Sequence, residues 1–420
     1  GGPRVVPFSA WREIPEPPSV SIQAIPRTPR ARRPADVVLH DNPLHVWHQV
    51  PLLPPHLDEW APPVGTPATH VAAASVAGAC FYLGAGEQDG AVFVVRNGTT
   101  HVLCPDSEEW CPRTVGQNVN LTRLQEVAAR SQVPTGSLPV VHLTYDVWYG
   151  VYHLLVGALP SIAPFLGELR GGKMRAFFHA GRRMVEPALQ LLGVAGSAFF
   201  PPSEPPLAGP YHFCAERMLF DLSTRPLYPR VEYVPSNLRV FRAALLGARS
   251  AEQGGERGAA QGGASRPCGA GAGGIVILSR GNRTRSLRNE PALKAALEGL
   301  GRPVEIVSPE AENFLQTVEA LGRAEVVVGA HGANLANIIF APAGVKVVEI
   351  VPQVSFDFQD YHFRDLAGAL NFTYAPVGQR VGQDEYDLGL AGDPMTMDKA
   401  LASYQVDVAK VLAMVKLVLE

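Results

Sequence analysis

The second half of the chain alternates between short runs dominated by apolar residues and stretches with helical spacing. IVILS (275–279), VEIVS (304–308), EVVVG (325–329) and KVVEIV (346–351) are strand-like runs, each bounded by polar or glycine-containing turns. Strands apolar along both sides belong in a parallel sheet covered on both faces, because neither face meets water. Between them, 291–300 (PALKAALEGL), 310–322 and 335–340 carry the spacing of helices. Ser308, followed by Pro309 and Glu310, predicts a helix start. Strand and helix in strict alternation predict a Rossmann-like α/β domain over residues 236–400.

The first half gives a weaker pattern. AVFVV (91–95), VVHLTY (140–145) and MRAFFH (174–179) read as strands, with a helix expected over 151–169 between the last two. Strand, helix, strand is a βαβ unit and implies a parallel pair. These elements fall in a domain expected over 36–235, preceded by a Pro-rich stem or arm at 1–35 in which Pro removes ladder donors and stops helices. Residues 238–247 read as helical, 251–274 as a low-complexity insertion unable to bury enough apolar area to order itself, and 401–420 as a C-terminal helix expected to pack back on the N-terminal domain. The apolar stretch 71–86 is diluted by small residues and Ser75, and it is too short for a membrane span.

Composition narrows the function classes. With 36 Lys and Arg against 39 Asp and Glu, the net charge of −3 leaves no concentrated basic patch for nucleic acid or a membrane surface. Of the five cysteines, only Cys104 and Cys111 lie close together, so a small disulfide loop is expected there, with Cys80, Cys214 and Cys268 lacking an evident partner. No CxxC occurs, which disfavours zinc. Asn97, Asn120, Asn282 and Asn371 each begin an Asn-x-Thr glycosylation sequon, which argues for a secretory-pathway protein. The chain begins at Gly1 without Met, so any signal or anchor is expected to have been removed or never included.

Ligands of open α/β sheets bind at the carboxyl ends of the strands. After 275–279 come Arg280, Arg283, Arg285 and Arg288, whose planar forks suit an anionic group, or which form a solvated charged loop. After 325–329, the small residues Gly332 and Ala333 with Asn334 precede a helix start, a geometry that fits a diphosphate. His331 beside them either donates to phosphate or is a satisfied structural histidine. GxGxxG is absent, so the nicotinamide-dehydrogenase fingerprint fails. Glu349, inside an apolar strand, needs a partner: ribose hydroxyls, or a salt bridge to Lys346 or Arg280. In the first half, the run from His142 through Asp146 to Tyr152 and His153 carries polar and aromatic groups from a strand into a helix.

Taken together, Tyr152-His153, Ser279-Arg280 with Asn289-Glu290, Gly329 to Asn337, and Val348-Glu349-Ile350 resemble glycosyltransferase family 61, which includes core β-1,2-xylosyltransferases, xylan glycosyltransferases and luminal O-GlcNAc transferases. The resemblance covers about 140–351. It implies a GT-B-like α/β fold of two Rossmann-like domains facing a cleft, and inverting transfer from a UDP-sugar, xylose first and GlcNAc as the alternative, to a glycan or glycoprotein acceptor. Arg280, Arg285, His331, Gly332, Ala333, Asn334 and Glu349 would bind the nucleotide sugar, with Asp146 and His153 as catalytic candidates. No cofactor or metal is expected; Asp357 and Asp360 are wrongly spaced for a DxD site. The resemblance implies a Golgi or endoplasmic reticulum lumen location, with no nucleic-acid partner and the membrane reached only through an anchor outside this chain. Two departures stand out: Gly157 replaces an acid usual four residues after the helix His, and Asn334 replaces a usual Gly. The first leaves a catalytically lapsed carbohydrate-binding protein as a second class. Asn282 falls inside the phosphate-facing turn, so its sequon is expected to stay unused.

Overall fold

The computed structural model describes residues 4–7, 20–21, 73–83, 90–96, 98–104, 120–130, 138–142, 151–177, 182–200, 211–221, 238–247, 273–281, 285–310, 313–353, 362–380 and 403–420. The chain divides into two compact units, one of residues 1–28 and 62–248, the other of 29–61 and 249–420.

The first unit is built on a nine-stranded mixed sheet. Its strands are β1 (Arg4–Pro7), β2 (Val20–Ser21), β3 (Ala73–Leu83), β4 (Gly90–Arg96), β5 (Thr99–Cys104), β6 (Val140–His142), β7 (Arg175–Phe177), β8 (Phe199–Phe200) and β9 (Tyr211–Asp221). They lie in the order β1-β5-β4-β3-β9-β6-β7-β8, with β2 added on β3. The parallel β6–β7 pair is the one the βαβ reading requires. The rest departs from a Rossmann-like sheet: β3 runs antiparallel to both β4 and β9. The diluted apolar stretch within 71–86 is therefore the long strand β3. The hairpin from β4 to β5 closes through Gly98 at φ 73°, a left-handed position that glycine adopts without penalty. The Pro-rich arm contributes β1 at the sheet edge, where the absent N–H of Pro7 is tolerated.

The helix expected over 151–169 is three pieces: a π-helix (His153–Ala158), a 3-10 helix (Pro160–Phe165) and α2 (Leu166–Arg170), α1 being Leu121–Arg130. Pro160 and Pro164 have no N–H to donate, so one continuous α ladder cannot pass through them. Helices α3 (Arg182–Leu191) and α4 (238–247) complete this unit's longer helices among the described residues. On one face of the sheet, α1 places Leu124 and Ala128 against Tyr82, Phe93 and Val102. Elsewhere in the unit Phe81, Phe177 and Phe213 form a cluster with ring centroids 4.6–6.0 Å apart. His142 lies within it, 5.4 Å from Phe177.

The second unit carries β10 (Gly274–Leu278), β11 (Val304–Val307), β12 (Ala324–Ala330), β13 (Lys346–Gln353) and β14 (Thr373–Arg380), all parallel. The four runs read from sequence are the first four of these. Their order is β11-β10-β12-β13-β14. The chain leaves β10 on one side and returns across it to β12, so the strand order reverses between β10 and β12. One face is covered by α5 (Glu290–Glu298) and α8 (Val408–Leu419), which bury Leu293, Leu297, Val411, Met414 and Val415 against Ile277, Val328 and Ile350. This corrects the expected packing of the C-terminal helix: its apolar side completes the C-terminal core, against α5, β13 and β14. Helix α6 (Phe314–Leu321) starts later than Ser308 and Pro309 predict. Asn313 takes over that end, its Nδ2 donating to the Ser308 carbonyl at 2.8 Å and its Oδ1 accepting from Glu310 N–H at 2.8 Å. A further helix, α7 (His362–Ala369), precedes β14. Residues 251–272, the bulk of the expected insertion, lie outside the described residues, as does Cys111.

One disulfide corrects the cysteine expectation: Cys80 of β3 and Cys214 of β9 are bonded, 134 residues apart in sequence. They stand directly opposite in the antiparallel register. Closing so long a loop restricts the unfolded chain strongly, and natural disulfides of this kind contribute roughly 2–5 kcal/mol. The paired substitution Cys80→Ala, Cys214→Ala should lower unfolding free energy by about that amount. Urea unfolding of both proteins, with and without reductant, checks it: reductant should destabilise the parent chain by more than the variant.

Candidate functional site

Two strand ends meet at the point where the sheet order reverses. At the end of β10, Ser279 N–H still donates to the Val307 carbonyl at 2.8 Å, and the chain then turns through Gly281 at φ 56°. The Ser279 hydroxyl organises this turn. It accepts from Gly281 N–H at 3.0 Å and donates to Glu290 Oε2 at 2.8 Å. Arg285 follows at φ 64°, a left-handed conformation that costs a residue with a side chain about 1–2 kcal/mol.

At the end of β12, His331 N–H donates to the Ile350 carbonyl at 2.9 Å, extending the ladder by one residue. Gly332 then adopts φ 145° and precedes a 3-10 helix (Ala333–Phe340). Its missing side chain is structural: a methyl there would overlap the Arg280 guanidinium, 2.8 Å from its Cζ and 3.4 Å from Arg285 Cζ. The two guanidinium carbons are therefore within 6.2 Å of one another, the sum of those distances. At about that separation two unit charges repel by roughly 3 kcal/mol for an effective dielectric near 20. An anion between them relieves this, and Arg280, only 8% exposed, is shielded from solvent. Leu335 N–H closes the first turn on the Gly332 carbonyl at 2.9 Å, which puts the N–H groups of Ala333 and Asn334 at the helix opening. The Asn334 amide is buried and donates to the Ser279 carbonyl at 2.6 Å, tying the two turns together.

Behind this cradle lies a buried carboxylate network. His331 Nδ1 and Glu349 Oε1 are 2.5 Å apart, and Tyr374 Oη donates to Glu349 Oε2 at 2.6 Å. His331 is 3% exposed and Glu349 1%. Parallel register explains the meeting: Gly329 stands opposite Glu349, and Val347 opposite Tyr374, so all three side chains project from one face. Within the protein Glu349 is held by His331 and Tyr374, while Lys346 pairs with Glu325 at 3.0 Å. A carboxylate only accepts, so the Nδ1 of His331 carries the proton, which fixes the ring. Phe363 packs edge-on to that ring at 5.5 Å.

The structure thus brings Arg280, Arg285, His331, Gly332, Ala333, Asn334 and Glu349 into one unit at one sheet end. Asp146 and Arg283 lie outside the described residues. His153 opens the π-helix, and its side chain also lies outside them. Tyr374 was missed by sequence reasoning, because no run before 373 marked β14. Among the described residues, no group of three or more His, Cys, Asp or Glu side chains could hold a metal ion.

An arginine-lined, glycine-opened cradle at the order reversal of a parallel sheet lies where open α/β sheets bind their ligands. The family model Glycosyltransferase 61 matches residues 151–348, which include every residue of the cradle. Over those residues, just under half of its length, the chain is similar to that family. It is similar to the Protein O-linked-mannose beta-1,4-N-acetylglucosaminyltransferase 2 of Tetraodon nigroviridis, 36% identical over 94 residues, or 22% of this chain and 16% of that protein. It is likewise similar to the protein of the same name from Takifugu rubripes, 34% identical over 105 residues, 24% of this chain and 18% of that one. Less than a fifth of either relative is therefore matched.

Glu290 offers a direct test of the turn. Burial raises its pKa above the ordinary value near 4.5, and the hydrogen bond from Ser279 partly opposes the rise. A folded pKa above the unfolded one means that the native state holds its proton longer. The stabilising contribution is complete below about pH 4.5 and is lost as pH rises through the folded pKa. The stability of the parent chain relative to Glu290→Gln should therefore fall with rising pH across that window and then level off. Paired urea titrations from pH 4 to 7 measure the difference, in which other carboxylates cancel.

Proposed function

We propose that this protein transfers a glycosyl group from a nucleoside diphosphate sugar to a glycan or glycoprotein acceptor, with the diphosphate held by Arg280, Arg285 and the turn at Gly332. The observation that carries the reading is the convergence of two guanidinium groups on a side-chain-free turn at the sheet's order reversal. In an inverting transfer, the acceptor oxygen bonds to the anomeric carbon as the bond from that carbon to the phosphate oxygen breaks. The acceptor proton passes to a base, and the diphosphate leaves with added negative charge. Arg280 and Arg285 would stabilise that charge as it develops, a duty for which preorganised cations need no metal. In this GT-B-like division of labour the C-terminal unit holds the donor and the N-terminal unit the acceptor.

Among donors, the names of the two relatives favour UDP-GlcNAc over the UDP-xylose that the family resemblance put first. A lumenal setting is supported by the Cys80–Cys214 disulfide and by the exposed sequon residues Asn120 and Asn371. No described helix is long and apolar enough to cross a membrane.

Binding and turnover test the two halves of the reading. Arg280→Ala should weaken UDP by roughly 1.5–3 kcal/mol, or about 10- to 150-fold, and Gly332→Ala should act in the same direction by displacing the Arg280 guanidinium. Calorimetry with UDP, UDP-GlcNAc and UDP-xylose measures this and ranks the donors; unchanged affinity in both variants removes the diphosphate assignment. For the base, Asp146→Asn or His153→Ala should cut kcat at saturating donor by 10²–10⁴-fold. If both keep more than about a tenth of parental turnover, the base lies elsewhere.

A further inference from the structure

The arginine loop is laced to a segment more than a hundred residues later in the chain. Tyr404 N–H donates to the Ser286 carbonyl at 3.0 Å, and Arg288 N–H donates to the Tyr404 carbonyl at 2.9 Å, making a parallel bridge between Leu287 and Tyr404. Asn289 then reads the Val406 peptide from both sides. Its Nδ2 donates to the Val406 carbonyl at 2.8 Å, and its Oδ1 accepts from Val406 N–H at 2.9 Å. One residue on, Asp407 N–H donates to Gln379 Oε1 at 2.7 Å, which ties the same segment to β14. Asp407 also caps α8, its Oδ1 accepting from Lys410 N–H at 3.2 Å. Leu287, Tyr404 and Val406 are buried, so these bonds are sheltered from competing water.

We infer that Asn289 is a positioning residue of the donor site and that the 404–406 segment, outside the family-matched residues, is part of that site's scaffold. The inference rests on the diphosphate reading above. Its physical content is the left-handed Arg285. A residue held at φ 64° persists only where its surroundings over-determine it, and four hydrogen bonds within the next four residues supply that restraint. Without them the chain at 285 relaxes toward its preferred conformations, and the Arg285 guanidinium leaves the vicinity of Gly332. Asn suits the position because its amide alone offers a donor and an acceptor at the spacing of one peptide group. Asp at 289 keeps the acceptor but turns a carboxylate oxygen toward the Val406 carbonyl.

Asn289→Ala and Asn289→Asp, in the full chain, test this by calorimetry with UDP and with uridine. Both variants should bind UDP about tenfold more weakly, equal to about 1.4 kcal/mol, with uridine affinity changed less than twofold. A role in stability alone would lower the melting temperature and leave the UDP-to-uridine ratio where it was. The Cys80→Ala, Cys214→Ala variant, destabilised in the other unit, supplies that comparison. Parental UDP affinity in a folded Asn289 variant, with Arg280→Ala impaired, overturns the positioning role and leaves the diphosphate site standing. Parental affinity in both Arg280→Ala and Gly332→Ala overturns both. If Asn289→Ala fails to fold, Asn289→Asp and Asn289→Ser carry the same measurement.

Discussion

Position 332 admits no side chain, and the rest of the site is arranged around that exclusion. The Arg280 guanidinium occupies the space a methyl would take, and the Arg285 guanidinium lies beside the same space. Two cations brought this close oppose folding by their mutual repulsion, so the backbone must hold them there. It does so from several directions: the Ser279 hydroxyl bridges Gly281 and Glu290, the Asn334 amide clips one turn to the other, and Asn289 fastens the loop to Val406. Three of these four bonds join backbone to a short polar side chain with few rotamers, which limits the entropy lost in making them.

The carboxylate of Glu349 works at one remove from that cradle. A charge almost wholly removed from solvent is tolerated when its oxygens are occupied, and here His331 and Tyr374 each take one. The consequence runs outward through the backbone. His331 is fixed through its ring and through its N–H on Ile350, and the next residue is Gly332. In this arrangement Glu349 helps to set the turn through His331.

The two units hold themselves together by different means. The C-terminal sheet is parallel and covered by helices, with its cohesion in apolar layers that reach from Ile277 to Met414. The N-terminal sheet joins a parallel βαβ edge to long antiparallel strands, and there a covalent bond crosses the β3–β9 pair. That pair begins and ends far apart in sequence, which is where loop closure costs most and where a crosslink removes most unfolded-state freedom.

The sequence by itself determined the C-terminal strands, because runs such as IVILS leave no polar face for water and admit only a covered parallel sheet. It also marked the arginines and the glycine at the strand ends as candidates for a binding cradle, beside the alternative of a solvated charged loop. Local pattern was less reliable where two rules competed: the apolar spacing over 151–169 promised one helix, but Pro160 and Pro164 divide it. Partner choice over long separations was decided by the tertiary structure alone. Cys80 meets Cys214 through a register, Glu349 meets His331 and Tyr374 across three strands, and Asn289 meets Val406 through a tail 117 residues away. No spacing rule encodes such pairs, because they depend on strand order. The placing of β10 beside β12 with β11 on its far side is a property of the packed sheet and of the apolar surfaces its connections must cover.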